Sequence, residues 1–130
     1  MAKRIKEKTE KINQTRDTRP YAKAKFLRLS ASKLDIVMDL VRGKGYMEAV
    51  AILKNTPNKA AELILKVVES AAANAENNKG LNRQDLYVAE VYSGQGATYK
   101  RQSIRARGRV DQILKRTSNI TVILDTVKGE

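Results

Sequence analysis

The chain has no cysteine, no histidine and no tryptophan, and only one phenylalanine and two prolines in 130 residues. Without cysteine there is no disulfide, no thiolate metal site and no thiol redox chemistry, and no redox compartment can be inferred. Without histidine the chain supplies neither the usual zinc ligand nor the usual general base. With so few large aromatics, any core is filled by Leu, Ile, Val and Ala. No stretch approaches the ~20 apolar residues of a membrane span. The opening residues, MAKRIKEKTEKINQ, lack the apolar core of a classical export signal. A soluble protein that takes no classical export route is expected.

Basic charge is what the chain has in excess. Twenty-six Lys and Arg face fourteen Asp and Glu, a net charge of +12 and a pI near 10.1. Such an excess repels itself in a compact state and is best tolerated against a polyanion. It is the electrostatic footprint of a nucleic-acid binder. The length suits one domain with extensions.

Residues 1–19 carry seven basic and three acidic side chains, with Ile5 and Ile12 as their larger apolar residues. This reads as a basic tail over residues 1–20, which either stays solvated or orders on RNA. Tyr21 to Leu29 alternates as a half-exposed strand does. A helix is expected over Ala31–Arg42 behind Ser30, with Leu34, Val37, Met38 and Val41 as its stripe and Gly43 as a left-handed cap. A shorter helix follows near Met47–Leu53. Thr56 and Pro57 read as N-cap and first residue of the strongest helix, which runs to about Asn77. Its apolar face is Ala60, Leu63, Ile64, Val67, Val68, Ala71 and Ala75, with Glu62 and Lys66 spaced to pair on the other side. The alanines at 71–73 predict close packing there.

Leu86–Tyr92 and Ser118–Leu124 are rich in β-branched and aromatic residues and read as strands. The 25 residues between them hold little apolar content, and a structureless loop of that length is unusual inside a compact domain. The two strands are therefore expected to continue outward as a hairpin, with arms of ~12 residues reaching on the order of 40 Å. Gly94, Gly96 and Gly108 suit a bulged, twisting ribbon. As a nucleotide loop Gly94-Gln95-Gly96 fails, because the third glycine and a following helix are missing.

The cations are unevenly spread. Residues 94–116 hold Lys100, Arg101, Arg105, Arg107, Arg109, Lys115 and Arg116 against Asp111 alone, whereas residues 57–79 hold three Lys and three Glu. A neutral core helix and a polycationic projection point to a ribbon surrounded by phosphates, where the guanidinium fork binds phosphate and stacks on bases. Tyr92 is expected to pack on the sheet. Tyr99, amid the charge, is a candidate for stacking on an unpaired base. In the body, Lys23, Lys25, Arg28, Lys33, Arg42 and Lys44 are the candidate RNA contacts. Scattered carboxylates such as Asp35, Asp39, Glu62 and Glu69 read as solvated helix faces. With no Walker motif either, no enzyme, no cofactor, no metal and no small-molecule substrate is expected.

Four features together resemble the bacterial type of the twenty-second family of large-subunit ribosomal proteins: SASKLDIVMDLVRGK at 30–44, VVESAAANAENN at 67–78, YKRQSIRARGRVDQILKRTSNIT at 99–121, and their order. The resemblance covers roughly residues 21–125, with residues 126–130 left as a C-terminal tail. It implies an α+β fold, with three helices on a small three-stranded antiparallel sheet and a long protruding β-hairpin, 91–117. It further implies a cytoplasmic protein in the ribosome that binds ribosomal RNA, meets neighbouring ribosomal proteins and aids assembly. The hairpin tip would line the peptide exit tunnel and face the nascent peptide, close to where macrolides bind. By the motif the tip falls near Ala97–Arg105, with Tyr99, Lys100, Arg101 and Arg105 at the tunnel and the arms at Val91–Gly96 and Ala106–Arg116. Asp35 stands where many members carry Arg, Ala97 and Ile104 where Pro is common, and Asn119 where His is usual.

Three other readings compete. An architectural DNA binder would grip duplex with the basic arm and wedge Ile104 into it. An RNA-modifying enzyme would need a cofactor motif. A binder of anionic membranes would need a basic amphipathic helix.

Overall fold

The computed structural model describes residues 2–126. In chain order the elements are α1 (Ala2–Thr15), β1 (Tyr21–Leu27), α2 (Ala31–Val41), α3 (Tyr46–Asn55), α4 (Lys59–Lys79), β2 (Leu86–Ile104) and β3 (Val110–Thr126). The segment expected as a C-terminal tail lies outside the described residues, apart from Thr126, which closes β3.

The apolar periodicities do what they should. Leu34, Val37, Met38 and Val41 of α2 are buried, as are Ala60, Ala61, Ile64, Val67, Val68, Ala71, Ala72 and Ala75 of α4. Leu63, expected on the same face, is only half-buried. The α2, α3 and α4 helices pack on one another, α4 covers β1 and β3, and α2 covers β2. Ala71, Ala72 and Ala75 are fully buried, so the small side chains allow the helix its close seat. From the sheet, Leu86, Val88, Val91, Ile120, Val122 and Leu124 complete the core. Each such aliphatic side chain contributes roughly 1.5–3 kcal/mol on leaving water.

Two helix ends differ from expectation. The N-cap of α4 is Asn58, whose side chain accepts from the Ala60 N–H, and Lys59 is the first helical residue. Thr56 is instead occupied as the C-cap of α3, its hydroxyl donating to the Ile52 carbonyl at 2.8 Å. The Glu62–Lys66 pair is not among the ion pairs of the described residues. The left-handed Gly43 (φ +76°) ends α2 as read, and Gly80 (φ +63°) likewise ends α4, whose last residue Lys79 stands two beyond the expected Asn77.

The larger difference is α1. Residues Ala2–Thr15, read as tail, form a helix of fourteen residues, exposed at each of residues 3–15. The connector after it is held to the body. Arg19 pairs with Asp17 and with Glu90, both at 2.6 Å, the Lys79 ammonium donates to the Thr18 carbonyl, and the Leu124 N–H donates to the Pro20 carbonyl at 2.9 Å. Hydrogen bonds from the Arg19 side chain and backbone hold the Asp17 carboxyl down to about 2. The Asp17 and Glu90 carboxylates in turn raise the Arg19 guanidinium.

The sheet is antiparallel in the order β1-β3-β2. β1 pairs from Tyr21↔Ile123 to Leu27↔Ser118 and bulges between Ala24 and Leu27. There Phe26 adopts φ +58° and its N–H donates to Asn119 Oδ1 at 3.0 Å. β2 and β3 pair from Leu86↔Thr126 outward to Ile104↔Val110. The register slips between Val88 and Glu90 and again between Gln95 and Thr98, each time giving β2 one residue more.

Candidate nucleic-acid interface

The hairpin is one continuous two-stranded ladder beyond the body. Its turn is closed by Arg105 N–H donating to the Arg109 carbonyl at 2.9 Å, with Arg107 (φ +59°) and Gly108 (φ +68°) left-handed inside it. This corrects the expected tip. Tyr99, Lys100 and Arg101 lie on an arm, opposite Lys115, Leu114 and Ile113, while Arg107 and Arg109, assigned to an arm, are at the apex with Arg105. The cause is register, since two extra residues in β2 and strict pairing beyond them put the turn at residues 105–109. From Gly96 to Ile104 the ribbon extends on the order of 30 Å.

At the foot of the ribbon β2 and β3 approach closely. A Cβ on Gly96 would meet Thr117 Oγ1 at 2.5 Å and the Thr117 backbone at 3.2 Å, so only glycine fits. The Thr117 hydroxyl donates to the Ala97 carbonyl at 2.6 Å, locking the second bulge. Gly94 has open space around it and carries no such demand.

The expected cations fall into three groups. Arg28, Lys33, Lys115 and Arg116 converge at the foot, lining a cleft of about 490 Å³ with Leu29, Ser30 and Leu114. A second cleft, of about 310 Å³, shares Ser30 and Arg116 with the first and adds Ser32, Gln95 and Thr98. The start of α2 faces these clefts, and the Ser30 side chain does not cap it. The helix therefore adds its partial positive charge to four cations. Such a place can receive anionic oxygens from a nucleic-acid backbone. Arg28 also lies over the Tyr99 ring, its guanidinium carbon 5.4 Å from the centroid.

The second group is the apex. Arg105 is paired with Asp111 at 2.8 Å, while Arg107 and Arg109 enter none of the ion pairs among the described residues. Lys100 and Arg101 lie between foot and apex, exposed.

The third group lies apart. Arg42 closes the far end of α2, paired with Asp39 and donating to the Val91 carbonyl at 3.1 Å. Lys44 pairs with Glu48 at 2.6 Å. Arg42 thereby ties α2 to β2, while the Lys44 pair is local to the start of α3. Lys23 and Lys25 point outward from β1, Lys23 lying 5.2 Å from the Tyr21 ring. Tyr92, expected to pack, is 48% exposed.

Asp35 and Asn119 have structural partners here: Ser93 donates to Asp35 at 2.6 Å, joining α2 to β2, and Asn119 supports the Phe26 bulge. Ser32, Gln95 and Thr98 line the cleft without having been singled out in the sequence. Ser-x-Ser at the head of α2 was their one sequence signal. Among the described residues no cluster of three metal-ligating side chains occurs, and no helix is long and apolar enough to cross a membrane.

Comparison with known proteins adds to this geometry. The sequence profile of the family described as Ribosomal protein L22p/L17e matches residues 22–125. The large ribosomal subunit protein uL22 of Clostridium novyi (strain NT) is 54% identical over 101 residues, 78% of this chain and 91% of its own length. The protein of that name from Desulforamulus reducens is 50% identical over 105 residues, 81% of this chain and 93% of the relative. That from Lachnospira eligens is 48% identical over 113 residues, 87% of this chain and 88% of the relative.

Proposed function

Because the chain belongs to the ribosomal protein L22p/L17e family, and so is a structural protein of the large ribosomal subunit, we propose that it binds ribosomal RNA through the hairpin and the clefts at its foot. Nothing in this role calls for catalysis. One observation carries the reading: the two strands leave the body as an exposed ribbon with seven cations against one acid, while α4 in the body is neutral. An isolated ribbon is marginal in water, and self-repulsion weakens it further. Phosphates on both sides remove that repulsion.

The foot, with Arg28, Lys33, Lys115 and Arg116, anchors the protein on folded RNA through its backbone, recognising shape more than sequence. The apex, Arg105 to Arg109 with Ile104 beside it, reaches inward, borders the peptide exit tunnel and meets the nascent peptide. Lys100 and Arg101 serve the arm, and Tyr99, backed by Arg28, offers a ring to an unpaired base. Neighbouring ribosomal proteins meet the remaining surface of the body.

The test is salt dependence. Log K for structured ribosomal RNA should fall linearly with log salt, by roughly 0.7–0.9 per neutralised phosphate. Replacing Arg105, Arg107 and Arg109 together with Gln should flatten the slope by about two units, since Arg105 is partly engaged by Asp111. An unchanged slope would remove the apex from the phosphates. Duplex DNA competing equally at matched salt would favour an architectural DNA arm instead. For the tunnel, a strain carrying only a chain with residues 105–109 cut to a two-residue turn should assemble subunits and change its macrolide response. A wild-type response would take the apex away from the tunnel.

A further inference from the structure

We propose that α1 is a second RNA-binding element, added outside the family's common domain, which lies along an RNA backbone with one chosen face. This rests on the reading that the body sits on ribosomal RNA. Three observations carry it. First, α1 ends at Thr15, before the matched segment begins at residue 22, and none of residues 3–15 is buried. A free helix of fourteen residues is marginal in water, and among the described residues this one has no packed face.

Second, one face of the helix carries cations and no carboxylate. At 100° per residue, Arg4, Lys8 and Lys11 recur at i, i+4 and i+7 within about 60° of arc. Beside them runs a stripe of Ile5 and Ile12, 64% and 56% exposed. Glu10 lies on the opposite side with Lys3 and Lys6, and Glu7 lies at the flank of the cationic strip, about 40° from Lys11. A merely solvated helix has no reason to keep its carboxylates off one face. Against a polyanion the arrangement favours one orientation, with the cationic strip and isoleucines inward, Glu10 outward and Glu7 at the edge. A membrane surface is the weaker fit, because helices that lie in lipid present a broad Leu, Phe or Trp face, and here two isoleucines are all there is.

Third, the root of the helix is fixed. Arg19 to Asp17 and Glu90, Lys79 to the Thr18 carbonyl and Leu124 to the Pro20 carbonyl tie the connector to the body. Once the body is seated on RNA, binding of α1 is an intramolecular event at high effective concentration.

The test uses the full chain and a 20-base-pair A-form RNA duplex as probe. Lys8→Gln with Lys11→Gln should lower the log K against log salt slope by about 1.5 units. Lys3→Gln with Lys66→Gln removes the same charge from positions off the face and should lower it by less than about 0.5. Equal slopes for the two double variants would overturn the inference. If the wild-type chain shows no salt-dependent binding, the broader reading of RNA binding fails as well. If the apex variant weakens binding and Lys8→Gln/Lys11→Gln does not, the failure is confined to α1. Vesicles of phosphatidylserine and phosphatidylcholine bound more tightly than the duplex would assign the helix to a lipid surface and overturn the proposal. In assembled subunits, p-benzoylphenylalanine in place of Lys8 should crosslink to RNA on irradiation. Crosslinks to protein alone would give the face to a neighbouring polypeptide and equally overturn it.

Discussion

β2 and β3 are each a single strand living in two environments. In the body Ile120, Val122 and Leu124 of β3 are fully buried, whereas Val110, Ile113 and Leu114 of the same strand are 52%, 42% and 41% exposed. The pairing is continuous and the β-branched residues persist, so backbone geometry does not mark the boundary. What changes is the covering. Below Thr117 the sheet has helices over it, and above Gly96 it has none. The lesson is that ladder formation and burial are separate properties.

The most forceful way to break this comparison is to place a charge in each environment. Val68→Asp puts an unpaired carboxylate at a site with no solvent access and should cost at least ~3 kcal/mol, enough to unfold much of the body. Ile104→Asp, at a position 85% exposed, should stay within ~0.5 kcal/mol. Urea unfolding followed by circular dichroism reads both. Comparable losses would mean that the apex packs on the body.

At the boundary itself, Gly96→Ala should cost about 1–3 kcal/mol, because the new methyl meets Thr117 side chain and backbone. Gly94→Ala, two residues away in open space, should change stability by less than ~1 kcal/mol. Similar values would show that the foot of the hairpin is looser than its close approach implies.

A third comparison concerns opening. In the free protein trypsin should cut within Lys100–Arg109 at least about tenfold faster than at Lys66 on α4, since the ribbon lacks a packed face. RNA should remove most of that difference. Mass spectrometry of early fragments decides it, and early cleavage at Lys66 would count against the division.

The smallest effect belongs to the connector. Asp17 has its carboxyl lowered to about 2, so its contribution is fully present above its unfolded value near 3.8 and is lost as pH falls through about 2. Carbon-detected NMR should show Asp17 titrating near 2, with the Arg19 side-chain signals moving in the same step. In Asp17→Asn that step should vanish while the hairpin resonances stay put. A midpoint near 3.8 would mean that the clamp does not form in solution.

Much of the fold was legible because one-dimensional patterns determine it. The 3.6-residue stripe of α4 and the alternation of Ile120, Val122 and Leu124 need no partner to be seen. The hairpin could be inferred from two strands enclosing a basic, apolar-poor stretch. Its turn could not be placed, because two bulges in β2 exist only once β2 meets β3. The N-cap of α4 was misread since Thr56-Pro57 and Asn58 both satisfy the local rule, and α3 had already claimed Thr56. For α1 composition misled, although Lys3–Glu7, Lys6–Glu10 and Glu7–Lys11 are all spaced i,i+4 and favour a helix. Of the candidate interface, Arg28, Lys33, Lys115 and Arg116 were named from charge alone. That they share a cleft, and that Arg42 and Lys44 face carboxylates elsewhere, are tertiary facts.

The strand order β1-β3-β2 has a consequence for how the molecule is made. The middle strand is the one translated after the other two, so Tyr21–Leu27 has no backbone partner until Ser118–Leu124 has been polymerised. While it waits, α2, α3 and α4 are complete and can associate locally, but α4 lacks its contact with β3. The sheet then closes through contacts nearly a hundred residues apart, the kind that slow folding most. During that interval β1 is an unpaired edge, open to wrong partners, and the charges of the outward-pointing Lys23 and Lys25 work against such pairing.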